Sequence, residues 1–197
     1  MKSLHRPDLF CWSEFNVERN VDFHSLAWIR PDGNVLVDPL PLSEHDWTHL
    51  QLLGGAAWIV ITNSDHIRAS QEIAAKTGAQ IAAPGGEQDT FPISVQRWLG
   101  DGDLVVPGLT VFELQGSKTP GELAFLLEDT TLITGDLVRA HQAGSLMLLP
   151  DAKLIDRSLA IPSVRRLAQL NQVEAVLVGD GWQIFHDGHN YLQELLD

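Results

Sequence analysis

Residues 56–73, AAWIVITNSDHIRASQEI, decide how the rest of the chain is read. The run Ala57-Trp58-Ile59-Val60-Ile61 is β-branched and aromatic, which predicts a buried strand. It stops at Thr62, and Asn63-Ser64-Asp65-His66 form a polar turn. From Ile67 the pattern becomes helical, with Ala69, Ile73 and Ala74 for packing and Gly78 as the stop. A strand, a loop and a helix in this order put the polar residues at the carboxyl end of the strand. Open α/β sheets place their ligands there. Adjacent Asp65 and His66 can reach one ion from such a turn. Equally, Asp65 can cap the helix while His66 faces solvent.

On the amino-terminal side, residues 10–18 and 21–30 read as strands, separated from Val35-Leu36-Val37 by the turn Pro31-Asp32-Gly33-Asn34. Pro39 and Pro41 forbid a continuing ladder. Ser43 caps a helix expected to run to Leu53 and to close at Gly54-Gly55. That helix carries His45 and His49, whose spacing matches a zinc-protease helix only loosely, so both are expected at the surface.

On the carboxyl-terminal side, residues 79–83 form a short strand and residues 84–92 a loop of breakers. Residues 104–106, 109–115, 122–127 and 131–134 follow as a β-meander. Gly135-Asp136 breaks the last strand. A helix is expected over residues 163–171, a buried strand over 175–178, and a final helix capped by Asp187. Two mixed sheets packed together with helices outside satisfy this order.

With 197 residues, 44% hydrophobic and 20% charged, the chain is long enough for one domain with a substantial core. The formal net charge of −13 makes nucleic acid and anionic membrane surfaces poor partners. One cysteine, Cys11, excludes an internal disulfide and reads as an inert buried thiol. No apolar run suits a signal peptide or a membrane span, so a cytoplasmic protein acting on a small molecule is expected.

Three polar turns now align: residues 62–66, residues 116–121 with Gly135-Asp136, and Gly179-Asp180-Gly181. Together with residues 34–39 (NVLVDP), Asp101-Gly102-Asp103, Gly108-Leu109, Thr119-Pro120-Gly121 and Thr134-Gly135-Asp136, their order resembles the metallo-β-lactamase-fold hydrolases, which include glyoxalase II. The resemblance runs from about Asn34 to Gly181. It implies a single α/β domain over residues 1–197, an αββα sandwich with its site at one edge of the two sheets.

Relative to that family's pattern, Ile61, Asn63 and Lys118 stand where the three histidines of a first metal would be. The second-metal positions carry Asp65, His66, Asp136 and Asp180. Three carboxylates against one ammonium leave a deficit that a divalent ion would cancel. Like charges about 4 Å apart cost about 4 kcal/mol at an effective dielectric of about 20. The resemblance therefore implies Lys118 in place of the first metal and at most one zinc, iron or manganese ion in the second position. The alternative is a metal-free site in which Lys118 pairs with Asp136 or Asp180.

In the first case the chain is a hydrolase of an ester, thioester, amide or phosphoester. Asp65 or Asp136 then takes the proton of water, and Lys118 stabilises the oxyanion. In the second it is a catalytically inactive descendant, a binding or interaction module. Among the remaining residues, His141 can swing toward the site and Trp182 can line a pocket.

Overall fold

The computed structural model describes residues 1–196. Its first sheet has seven strands: β1 (Lys2–Ser3), β2 (Leu9–Asn16), β3 (Val21–Trp28), β4 (Val35–Val37), β5 (Trp58–Val60), β6 (Gln80–Pro84) and β7 (Arg97–Leu99), paired in that order. β1 to β4 are antiparallel, and β4 to β7 run parallel. The second sheet contains β8 (Leu109–Leu114), β9 (Glu122–Leu127) and β10 (Thr131–Thr134), joined by the hairpin β11 (Val138–Gln142) and β12 (Ser145–Leu148) and then by β13 (Ala175–Val178). Its order is β13-β10-β9-β8, with β13 parallel to β10.

The period-2 alternation of the strands separates three layers of core. Leu9, Cys11, Leu26 and Val60 face Val111, Leu123, Phe125 and Leu177 between the two sheets. On the other side of the first sheet, Trp12, Leu36, Ile59 and Ile61 receive helices α1 (Glu44–Leu52) and α2 (Ser70–Thr77). Leu132, Val176 and Val178 of the second sheet receive helices α3 (Arg157–Leu167) and α4 (Gly188–Glu194), together with the β11–β12 hairpin. The architecture is the αββα sandwich that the sequence pattern implies.

Several local expectations are corrected. α3 begins at Arg157, six residues before the expected start, because Asp156 caps it by accepting from the Ser158 amide at 2.8 Å. Pro162 lies inside the helix instead of before it. The polar turn at residues 64–66 is a short 3-10 turn, and α2 proper starts only at Ser70. Residues 104–106 make one bridge, Leu104 with Thr110, instead of a strand. Asp187 starts α4 without a side-chain cap, in the left-handed region at φ 57°.

Phe125 is fully buried between the sheets. Phe125→Ala is expected to destabilise the fold by about 3–5 kcal/mol, measured as a lower urea midpoint at unchanged slope.

Candidate functional site

The site forms where β5, β10 and β13 end at one edge of the sandwich. The chain leaves β5 through Ile61 and Thr62, and the Leu123 amide of β9 donates to the Thr62 carbonyl at 2.8 Å, stitching one sheet to the other. Gly135 makes the close approach of the β10 turn possible. A Cβ there would lie 2.8 Å from Thr62 Oγ1 and 3.1 Å from Asn63 Nδ2.

At the centre stands the Lys118 ammonium. Its Nζ is 2.7 Å from Asp65 Oδ2 and 2.9 Å from Asp136 Oδ2. Burial opposes the charge on Lys118, but Asp136 and Asp65 outweigh it and raise the pKa above the ordinary lysine value. Asn63 orients the pair from beneath. Its Nδ2 donates to Asp136 Oδ2 at 3.0 Å, and its Oδ1 accepts from the Asp65 amide at 3.0 Å. Burial would raise the Asp136 pKa, yet His66, Lys118 and Asn63 together hold it below the usual carboxylate range.

Asp38 organises the other side. Its backbone is in the left-handed region at φ 46°, a conformation Asp tolerates better than most residues. Its carboxylate is buried and accepts from the Thr62 amide (2.8 Å), Thr62 Oγ1 (2.6 Å) and His66 Nδ1 (2.8 Å). His66 Nε2 lies 3.4 Å from Asp136 Oδ2. Burial disfavours the imidazolium, but Asp38 and Asp136 flank it and its pKa is raised. The His66 ring thus lies between two carboxylates, which favour its charged form against the pull of burial.

The structure brings Asp65, His66, Lys118 and Asp136 together. Asp180 is not among their partners. Its Oδ2 lies 2.6 Å from His141 Nε2 and 3.4 Å from Arg139 Nη1, and its buried Oδ1 has no partner among the described residues. His141 turns to Asp180 and not to the Lys118 pairs. Ile61 is fully buried in the core beneath α2. The expected ligand set of Asp65, His66, Asp136 and Asp180 is therefore not assembled. Among the described residues, no group of three or more His, Cys, Asp or Glu side chains is arranged to hold a metal ion. An ammonium occupies the space between the two carboxylates, and His66 Nδ1 is engaged by Asp38. The residues present do not fit a divalent ion.

Sequence reasoning missed Asp38, Arg68 and Glu122. Arg68 donates to the carbonyls of His24 and Asp38 and, at 3.4 Å, of Gly179. Glu122 is completely buried and binds both loops that carry the charges. It accepts from Ser117 Oγ, beside Lys118, and from the Leu137 amide, beside Asp136. The cleft above these groups measures about 470 Å3, and Arg19, Phe23 and Arg68 also line it.

A family model described as the metallo-beta-lactamase superfamily matches residues 1–197. The chain belongs to that superfamily. A metallo-beta-lactamase from Pontibacter korlensis superposes with a TM-score of 0.76 at 17% identity, over 98% of this chain and 95% of that one. The metallo-beta-lactamase FIM-1 from Pseudomonas aeruginosa, solved in a mono-zinc form, gives 0.73 at 15% identity, over 95% and 89%. At these identities the likeness shows the shared fold. Two curated relatives, hydroxyacylglutathione hydrolases of Cereibacter sphaeroides strains, are each 33% identical over 109 residues. That stretch is 53% of this chain and 40% of each relative, so the chain matches less than half of their length.

Burial and the Asp136 carboxylate push the Glu122 pKa from its ordinary 4.5 up to about 7. An acid whose folded pKa is raised keeps its proton in the fold after the unfolded chain has lost it. Stability therefore falls as pH rises between 4.5 and about 7. His66, with its pKa raised above 6.5, extends the fall above that value. Glu122→Gln is expected to remove the lower part of this loss and leave the His66 part, measured by denaturant titration across the range.

Proposed function

We propose that this superfamily member works without a metal, as a module that binds a small organic acid in the cleft above Lys118. The observation that carries the reading is the Lys118 ammonium seated 2.7 Å and 2.9 Å from the two carboxylates that a metal would need. An ammonium supplies charge and hydrogen bonds, but it does not turn bound water into a nucleophile as a divalent ion does. The choice of ligand rests on Arg19 and Arg68. Both line the cleft, their guanidinium groups lie 5.8 Å from the Phe23 ring, and neither makes an ion pair with a carboxylate among the described residues. A carboxylate pairs well with such groups, and the Phe23 ring offers an apolar surface beside them.

A second reading is the one-metal hydrolase, favoured by the similarity to the hydroxyacylglutathione hydrolases. Its substrate would be a thioester or another activated carbonyl.

The test is elemental analysis of protein purified without chelator, beside zinc, iron and manganese titrations of the wild type. No stoichiometric metal, no hydrolysis of an ester, thioester or phosphodiester panel, and stabilisation by members of an organic acid panel are expected. Arg19→Ala is expected to weaken that stabilisation about tenfold in apparent affinity, the loss of one charge-assisted contact. One equivalent of metal, lost in Asp136→Ala and accompanied by hydrolysis, would instead establish the second reading.

A further inference from the structure

A second cavity, of about 480 Å3, lies on the opposite face of the β2–β3 hairpin from the cleft. Phe15, Trp182 and Phe185 supply aromatic walls, and Lys2, Asn20, Asp22 and Gln183 border them. Phe15 is 53% exposed and Trp182 61%, so two large rings border a cavity with nothing packed on them. The floor is fixed by the backbone. The Gly181 amide donates to the Asp22 carbonyl at 2.9 Å, and the Trp182 amide to the Ala140 carbonyl at 2.8 Å. Gly181 is required at this junction, because at φ 103° a Cβ would fall 2.1 Å from the Ala140 carbonyl oxygen.

Two imidazoles line the cavity, and only one has a free nitrogen. His24 is fully committed: Nδ1 lies 2.7 Å from Ser13 Oγ, and Nε2 donates to the Gly181 carbonyl at 2.5 Å. His141 is one-third exposed and places Nε2 2.6 Å from the buried Asp180 carboxylate. That nitrogen therefore carries the hydrogen. In the neutral ring Nδ1 is then an acceptor, with no hydrogen-bond partner among the described residues. Aromatic walls with a few placed polar groups are the composition of a small-molecule site, and His141 Nδ1 is the acceptor among them that a buried carboxylate orients.

We infer that this cavity binds a small planar aromatic molecule carrying a phenolic hydroxyl, which donates to His141 Nδ1 while its ring lies against Trp182 and Phe15. The Asp180–His141 pair then has a function of its own: the carboxylate fixes the tautomer that leaves an acceptor facing the ligand. The inference does not depend on what the cleft above Lys118 holds.

The test uses the full chain and two probes on one ring system, 2-naphthol and its methyl ether 2-methoxynaphthalene, which lacks the donor, followed by two-dimensional NMR. Both are expected to shift the Trp182 indole N–H and the Gly181 amide saturably. 2-Naphthol should bind about fivefold more tightly, the factor of one net hydrogen bond. His141→Leu should erase that difference, and Trp182→Ala should weaken both probes. Equal binding of the two probes to the wild type overturns the inference without any variant. Shifts confined to another surface, or no binding of either probe, overturn it as well.

Discussion

Two carboxylates, Asp65 and Asp136, converge at the ends of two sheets, and the fold is tolerable only with a cation between them. Lys118 supplies it from the loop between β8 and β9. A tethered ammonium differs from a bound ion in a simple way: its local concentration is set by the chain and not by the solution. The partial neutralisation of the pair is then a property of the folded polypeptide. The same tether limits the chemistry, because an ammonium can donate three hydrogen bonds but cannot act as a strong Lewis acid.

The rest of the cluster follows from that neutralisation. Asp38 favours the charged form of His66, and His66 with Lys118 holds the Asp136 pKa down. Glu122, buried below, carries the opposite tendency. Burial and Asp136 raise its pKa by more than His66 lowers it, and it grips the two loops through Ser117 and Leu137. The hydrogen bonds of Glu122 thus tie the positions of Lys118 and Asp136 to each other through a single side chain.

Much of the fold was legible in the chain because burial and periodicity are local signals. The runs at residues 57–61, 123–127 and 175–178 are apolar on both faces, as strands covered on both sides must be. β7 escaped notice because Arg97-Trp98-Leu99 is too short and too mixed to show a period. The site was legible only in part. Asp65, Lys118 and Asp136 were singled out through the family's order of turns, and they do meet. Asp38 reads as nothing more than a strand end, since its partners Thr62 and His66 lie 24 and 28 residues away. Asp180 was assigned by position alone, and the residues that hold it, Arg139 and His141, sit in a hairpin whose pattern gave no clear period.

The β2–β3 hairpin is a wall with two sides. Asn16 and Phe23 face the cleft, while their neighbours Phe15, Asp22 and His24 face the second cavity. Alternation divides most of these side chains between the two spaces, with Val21 of the second cavity as the exception, so deleting one residue from a strand would move side chains between both linings. The two cavities are therefore bound to a common inheritance: drift in the length of this hairpin cannot reshape one without rewriting the other, whereas drift in side chains can tune each alone.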